Sequence, residues 1–278
     1  MEIIVEYFKT IPTLHRAIII VGGISFFWIL EGALPLFLFN YKKWKHAIPN
    51  FFFTITTILI NVSLAFLLLT TSDWVVLNKF GVIYLFNKLP LVIEVLIAIL
   101  LLDFFGAFLA HYVEHKFNPL WMIHLVHHSD HKVDTTTANR HHPLESLIRF
   151  TFTLLATLIV GAPIAYVLLY QSLSVISTQF NHANIKLPKK IDKFISYVLV
   201  SPDMHKIHHH YRLPYTDANY GNIFSIWDRI FGTYMDLDRE KIIYGVDVFP
   251  DENKNSKIGE LLKQPFQDYQ RPTKSEEI

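Results

Sequence analysis

The chain has 278 residues, no cysteine and a formal net charge of +1. The lack of cysteine excludes disulfides, thiolate metal sites and cysteine nucleophiles. The near-neutral charge gives no reason to expect nucleic acid as a partner. Hydrophobic residues make up 51% of the chain and the mean hydropathy is +0.30, a composition typical of membrane proteins. Fifteen histidines in so apolar a chain are its most unusual feature.

Apolar runs at residues 17–39, 51–71 and about 89–110 are each long enough to cross a bilayer, which takes about 20 helical residues. A fourth region, residues 147–178, is too long for one simple span and is interrupted by Gly161-Ala162-Pro163. Proline stops a helix and glycine permits a turn. We therefore predict three spans followed by a hairpin of two short helices.

The segment between the first two runs contains Lys42, Lys43 and Lys45, which the positive-inside rule places in the cytoplasm. Alternation of the spans, with a hairpin that enters and returns, then brings every histidine cluster to the cytoplasmic side. We expect transmembrane helices in residues 1–110, a catalytic region in 111–250 that includes the hairpin 147–180, and a polar tail in 251–278. The membrane would be the inner membrane in a bacterium or the endoplasmic reticulum in a eukaryote.

The histidines recur at helical spacing. His111 and His115 are four residues apart, so a helix would place them on one face with their Cβ atoms about 5–6 Å apart. Two further clusters follow an i, i+3, i+4 pattern, which also defines one face of a helix. They are His124, His127 and His128, and His205, His208 and His209. Imidazole binds Fe, Zn, Cu and Ni well, so three clusters with matching spacing predict a metal site.

These eight histidines exceed what one metal needs, because a catalytic zinc takes three protein ligands and a water. We also expect His142, in RHHPLE, and His182, in NHANIKLP, to be ligands. Two metals would then share the set with four or five nitrogens each. The fold class predicted from the whole chain is an all-α, multi-pass membrane helix bundle with a cytoplasmic helical cap that carries a histidine-rich dimetal site.

Other polar residues receive weaker assignments. We interpret His131, His141 and His210 as neighbours of the site, and His15 and His46 as interfacial or loop residues. Glu114, Glu145, Asp203, Asp217 and Asp228 could orient the ligands from outside or lie in solvated loops. Glu31 and Glu94, inside apolar runs, are interpreted as packing residues that face the bundle interior. Asp103 could face either the bundle or the site.

The three histidine clusters, together with RHHPLE, NHANIKLP and NYGNIFSIWDRIFGTY, resemble the fatty acid hydroxylase / sterol desaturase superfamily from about residue 31 to residue 234. The resemblance implies an integral-membrane, non-haem di-iron oxygenase that uses O2 to hydroxylate or desaturate a lipid. It implies two Fe ions as the cofactor, with zinc as a substitute in preparations. Thr178, four residues before His182, favours the sterol-desaturase-like branch. Electrons would come from a separate ferredoxin- or cytochrome-like partner, because the chain leaves no room for an attached donor domain.

Two other functions remain open at this stage. HYVEH also fits the inverted zinc-peptidase signature, with His111 and His115 as ligands and Glu114 as general base. That motif is short and leaves the other two clusters unexplained. HHSDH resembles the metal-collecting loop of a transporter, but transporters bind their substrates near the middle of the membrane, whereas these histidines lie at the ends of the predicted spans.

Overall fold

The structure, a computed structural model, describes residues 1–86 and 89–269. Within these residues the chain is helical and contains no β-strand. The helices are α1 (Glu2–Lys9), α2 (Thr13–Ala33), α3 (Lys43–Asn78), α4 (Leu91–Asp103), α5 (Leu109–Lys116), α6 (Asn118–His128), α7 (Pro143–Val160), α8 (Ile164–His182), α9 (Lys189–Ile195), α10 (Pro202–His208), α11 (Ile226–Ile230) and α12 (Ile258–Lys263). Short 3₁₀ turns lie at Val82–Leu85, Thr135–Asn139, Tyr215–Asp217, Arg239–Lys241 and Gln264–Phe266.

Four helical stretches are long and apolar enough to cross a membrane. They are Thr13–Ala33, Lys43–Leu85, Leu91–Lys116 and Pro143–Val160. The third consists of α4 and α5, joined without a break by a π-helical turn at Phe104–Phe108. The prediction of an all-α, multi-pass helix bundle is confirmed, and the four apolar helices are those of an integral membrane protein.

The predicted hairpin consists of α7 and α8, which turn at residues 161–163. Gly161 has a φ of 78°, which glycine adopts at no steric cost and other residues rarely adopt. The turn also packs closely on the chain after α3, because a Cβ atom on Gly161 would lie 2.3 Å from the carbonyl oxygen of Phe80. The sequence therefore needs glycine at this position both for the turn and for the contact.

The hairpin turn marks one end of the bundle. It contacts Phe80 and Gly81, just beyond α3, and the Tyr166 hydroxyl donates a 2.7 Å hydrogen bond to Glu94 in the first turn of α4. The start of α3, the end of α5, the start of α7 and the end of α8 consequently meet at the opposite end. There the short helices α6 and α10 join them, and all three histidine clusters lie in these elements.

Two helix boundaries differ from the sequence prediction. The first run stops being helical at Ala33 rather than at residue 39, because Pro35 cannot continue a helix and restricts the residue before it. The Leu36 backbone N–H instead donates to the carbonyl of Asn184 at 3.0 Å. The helix that contains the second run, α3, is longer than that run and spans 36 residues, with Pro49 inside it.

The region after residue 251, predicted as a polar tail, contains the short helix α12 and packs on the rest of the chain. The α12 residue Leu261 is buried against Phe53 and Val126. The buried Arg140 guanidinium donates to the carbonyl of Asn255 at 2.6 Å, so this segment is held on both its apolar and its polar side. Residues 270–278 of the predicted tail lie outside the described residues.

Candidate metal centre

Nine histidines form two adjoining groups of potential metal ligands. The five-histidine group consists of His111, His115, His124, His128 and His208, and the four-histidine group of His127, His182, His205 and His209. Within each group one ligand atom per residue lies within 4.8 Å of every other. The groups touch where the rings of His128 and His209 stack with centroids 4.7 Å apart. The structure thus gathers nine of the ten histidines expected as ligands.

Two ring nitrogens in the five-histidine group, Nε2 of His111 and Nε2 of His124, face each other without a proton to share. His124 Nε2 lies 3.1 Å from His111 Nε2 and 3.2 Å from His128 Nε2. His111 Nδ1 donates to the carbonyl of Tyr220 at 2.8 Å and His124 Nδ1 to Glu145 at 2.8 Å. A neutral imidazole has one N–H, so both Nε2 atoms present lone pairs. Lone pairs this close repel unless a cation lies between them, and the donor set fits a transition metal.

The four-histidine group repeats this arrangement around one residue. His182 Nε2 lies 3.1 Å from His127 Nε2, 3.0 Å from His205 Nε2 and 3.2 Å from His209 Nε2. His182 Nδ1 donates to the carbonyl of Thr178 at 2.8 Å, so its Nε2 also presents a lone pair. Four nitrogens aimed at one point fit a second metal ion.

The protein environment keeps the histidines in and next to α6 and α10 neutral, and the neutral imidazole is the form that binds metal. Burial lowers the pKa of His124 to about 4. For His128 and His208, burial lowers the pKa well below its usual range, and the neighbouring histidines lower it further. The same holds for His205 and His209 in the other group. Each ring is therefore ready to coordinate without first losing a proton.

The helices divide the clusters between the two groups. In α6, His124 and His128 belong to the five-histidine group, while His127 belongs to the other. At α10 the assignment is reversed, because His205 and His209 share the four-histidine group and His208 crosses to the five-histidine group. Residues four apart differ by about 40° around a helix and adjacent residues by about 100°. Each i, i+4 pair therefore shares a group, and the remaining histidine, about 60–100° away around the helix, belongs to the other group. Each cluster thus contributes to both groups from one side of its helix.

Two buried carboxylates lie behind the five-histidine group. Glu145 Oε1 accepts hydrogen bonds from His124 Nδ1 at 2.8 Å, His141 Nδ1 at 2.6 Å and Arg149 Nε at 3.0 Å. Glu114 binds Arg149 Nη2 at 2.7 Å and lies 3.8 Å from His124 Nδ1, too far for a hydrogen bond. Outer carboxylates of this kind orient a ligand and raise its basicity. Glu145 has this role for His124, and Glu114 does not.

The loop after α10 supplies backbone acceptors for two ligands. His111 Nδ1 binds the carbonyl of Tyr220, and His208 Nδ1 binds the carbonyl of Ala218 at 2.7 Å. Asp228 holds this loop by accepting from the backbone N–H groups of Tyr220 at 2.7 Å and Gly221 at 2.8 Å. Asp228 thus acts on the ligands through the loop.

The other acidic residues lie further from the ligands. Asp103 accepts from the Ile223 and Phe224 backbone N–H groups and from Trp227 Nε1, so it anchors the same loop. Asp217 Oδ1 is 3.9 Å from His115 Nδ1, and Asp203 pairs with Arg239. These two carboxylates do not hydrogen-bond to a ligand.

His142 does not join either group. Its Nδ1 accepts from the Leu144 backbone N–H at 3.2 Å, which caps α7, and its Nε2 binds the Leu262 carbonyl at 3.4 Å. The following proline places residue 142 at the N-cap position, where its ring turns toward the helix end. His210 is also outside both groups, because its Nδ1 accepts from the Ile243 backbone N–H at 3.1 Å.

His141 and His46 make more specific contacts near the histidine groups than the sequence indicated. His141 binds Glu145 and stacks on His127 with centroids 4.8 Å apart. His46 lies in the first turn of α3, with Nε2 2.8 Å from Asp130 and Nδ1 3.2 Å from Asp134. These contacts fix the segment after α6. A buried contact between His46 and two distant aspartates leaves no periodic signal in the sequence.

The geometry counts against the zinc-peptidase alternative. A catalytic zinc site keeps three protein ligands and an open position, whereas His111 and His115 lie among three further histidines. A general base must also reach the metal-bound water. Glu114 lies on the outer side of His124 and is bound to Arg149, so it faces away from the Nε2 atoms.

Comparison with known proteins agrees with the motifs. Ornithine lipid hydroxylase OlsE of Rhizobium tropici is 25% identical over 154 residues, which cover 55% of this chain and 45% of that protein. Alkylglycerol monooxygenase of Danio rerio is 32% identical over 147 residues (51% of this chain, 30% of that protein), and that of Homo sapiens is 29% identical over 151 residues (51% and 31%). The chain therefore spans less than half the length of these relatives. No solved structure matches it.

The family model described as Fatty acid hydroxylase matches residues 95–233, which is half of the chain. All nine histidines of the two groups lie within that segment. By its motifs, its helical membrane architecture and this match, the chain belongs to the fatty acid hydroxylase family.

Proposed function

We propose that the chain is a membrane non-haem di-iron oxygenase that uses O2 and two electrons to oxidise a lipid. The observation that carries this proposal is the division of nine histidines, eight of them buried, into groups of five and four. Family membership supports the same conclusion. An all-nitrogen set of neutral ligands suits iron, although zinc could replace it in preparations.

Two bound iron ions would supply the electron transfer to O2 that oxidation of an unactivated C–H bond requires. The chain's own residues hold and orient that centre. The carbonyls of Tyr220 and Ala218 fix the rings of His111 and His208, and Glu145 fixes His124. Burial of these rings keeps bulk water from the ligand nitrogens. For hydroxylation the balance is one lipid C–H bond, one O2, two electrons and two protons, giving the alcohol and one water.

The names of the relatives favour oxygen insertion over desaturation, since they are a lipid hydroxylase and monooxygenases. Both kinds of relative act on lipids with a polar head, so we propose a lipid of this kind as substrate. The end of the Leu91–Lys116 stretch carries His111 and His115, which puts the centre within reach of a chain in the bilayer. The electrons would come from a separate ferredoxin- or cytochrome-like protein.

We further propose that the centre faces the cytoplasm, at the inner membrane of a bacterium or the endoplasmic reticulum of a eukaryote. Lys42, Lys43 and Lys45 lie at the start of α3, which is the end of the bundle that carries the histidines. Lys43 forms a 2.8 Å ion pair with the buried Glu31. The positive-inside rule counts lysines near the span regardless of nearby acids, so the orientation argument is unchanged.

Comparative lipid mass spectrometry tests the activity. Cells making the wild-type chain and cells making the His208→Ala variant would be grown under isotopically labelled O2. We expect one lipid class to gain a single labelled oxygen only with the wild-type chain. Loss of two hydrogens without label would indicate desaturation instead. Unchanged lipids in the presence of iron-loaded protein and a reducing partner would contradict the proposal.

A further inference from the structure

An apolar face lies outside all four membrane-spanning stretches. It is formed by α9, the turn that follows it, and α11. Its main side chains and their exposed fractions are Phe194 (76%), Tyr197 (57%), Val198 (61%), Ile226 (43%), Ile230 (62%) and Phe231 (53%). Contiguous apolar patches of this kind are uncommon on surfaces that face water and mark sites of contact. We call it the α9–α11 face.

The two parts of the α9–α11 face form one surface. Ser196, which ends α9, offers its carbonyl to the Ser225 hydroxyl at 2.7 Å and to Arg229 Nη2 at 2.8 Å. Residues Leu199 and Phe224 pair through an antiparallel backbone bridge. The α9 and α11 backbones are therefore held side by side, so their exposed apolar side chains lie on neighbouring elements.

The α9–α11 face is continuous with the third membrane-spanning stretch. The Phe231 ring lies 5.5 Å from Phe104 and 5.4 Å from Phe108, and the Trp227 ring lies 4.9 Å from Phe104. Phe104 follows Leu91 by 13 residues, or about 20 Å of helix. The hydrocarbon layer is about 30 Å thick, so α11 packs at a level that falls within the leaflet nearest the histidine groups.

The polar surroundings of the face suit lipid headgroups. Four exposed lysines lie in and just before α9, namely Lys186, Lys189, Lys190 and Lys193. Lys189 and Lys193 also form ion pairs with Glu240 and Asp236. Lysines close to an anionic membrane surface are attracted to it. Tyr197 lies beside them with Arg229 over its ring at 5.4 Å, and tyrosine is a residue that favours the boundary between lipid and water.

We propose that the α9–α11 face is embedded in the bilayer as a membrane-docking surface, in the leaflet nearest the metal ligands. The occupant of the face is lipid, with the acyl chains against Phe194, Ile230 and Phe231. The lysines of α9 meet the headgroups. This surface is additional to the membrane spans and does not depend on the oxygenase activity.

Docking of this face also fixes a metal ligand. The α11 residue Asp228 is buried and holds the backbone of Tyr220, whose carbonyl orients His111. The position of α11 against the membrane is therefore connected through two hydrogen bonds to the ring of His111. The lipid surface supports the geometry of the five-histidine group from outside the ligand set.

Spin labels at single cysteines test the proposal, because the chain has no cysteine of its own. The full chain would be reconstituted in vesicles of phosphatidylcholine and phosphatidylglycerol, with labels at Phe194→Cys and Ile230→Cys. Leu59→Cys is the lipid-facing control in α3, and Asn253→Cys, at an exposed position before α12, is the water-facing control. Collision with O2 reports lipid, and collision with a water-soluble nickel chelate reports water.

We expect labels at 194 and 230 to behave like the label at 59, with a rate of collision with the nickel chelate severalfold lower than at 253. The proposal is overturned if labels at 194 and 230 meet the chelate as freely as the label at 253 while the label at 59 remains protected. It is also overturned if the label at 230 shows a short distance to the same label in another copy, since the face would then be covered by protein.

Discussion

The role of Glu145 behind His124 gives a sharp test of the five-histidine group. Glu145→Gln keeps the shape of the side chain but removes the charge that accepts from His124 Nδ1 at 2.8 Å. A hydrogen bond to a charged group contributes about 1.5–3 kcal/mol and a neutral one about 1 kcal/mol. The loss is then about 0.5–2 kcal/mol, a range that includes the roughly tenfold weaker metal binding seen for outer-shell substitutions.

Glu114→Gln is the matched control. Glu114 is as buried as Glu145, comes from a neighbouring helix and binds the same arginine, Arg149. It makes no hydrogen bond to a ligand. Either substitution leaves Arg149 paired with the remaining carboxylate, so the two variants differ mainly in the bond to His124. We therefore expect metal affinity close to wild type and measurable lipid oxidation in Glu114→Gln.

The assay is iron retained per chain after equilibration against a series of competing chelators, with the protein in nanodiscs under anaerobic conditions. The reasoning predicts a shift of about tenfold for Glu145→Gln and little shift for Glu114→Gln. Equal losses in both variants would refute the distinction drawn from the geometry. So would full retention of iron by Glu145→Gln.

Three further predictions follow from the same contacts. His205→Ala should lower the metal content from two toward one per chain, because only three ligands remain in its group. His210→Ala should keep both metals and much of the activity. Metal loss in His210→Ala but not in His205→Ala would contradict the assignment. His142→Ala should retain the metal but lower stability by about 0.5–2 kcal/mol, the usual effect of losing an N-cap, measured by thermal unfolding and elemental analysis together. Cysteines at Asn118 and Arg212, both exposed in the cap, should be labelled from the same side of the membrane and a cysteine at Asn78 from the other, whereas labelling of all three from one side would contradict the topology.

The sequence predicted the bundle well because hydrophobicity and chain breakers are local signals. The three long runs became spans, and the break at Gly161 became the hairpin turn. The ends of helices were less predictable. Pro35 ended α2 early, and α3 continued through polar flanks that no hydropathy argument includes. The packing of Leu261 on α3 and α6 depends on tertiary contacts that a polar segment does not announce.

The ligand set was partly readable for a similar reason. Spacing marked the helical clusters, but it could not show that α6 and α10 each contribute histidines to both groups, since that depends on how helices from distant parts of the chain meet. His141 and His142 are neighbours in the sequence but have different roles. His142 caps α7, whereas His141 binds Glu145, and only the direction in which α7 begins separates the two. The assignment to the sterol-desaturase-like branch, which rests on Thr178, stays a prediction. In the structure the Thr178 hydroxyl binds Asn222 at 2.8 Å and its carbonyl accepts from His182.

The metal content of anaerobically purified protein distinguishes a di-iron centre from a zinc site. We expect two iron ions per chain, held by groups of five and four histidines, and a Mössbauer spectrum with nitrogen-ligated sites. Iron-loaded protein should oxidise lipid when given O2 and a reductant. A single tightly held zinc, with no iron-dependent activity, would contradict the di-iron oxygenase and return the zinc hydrolase to consideration.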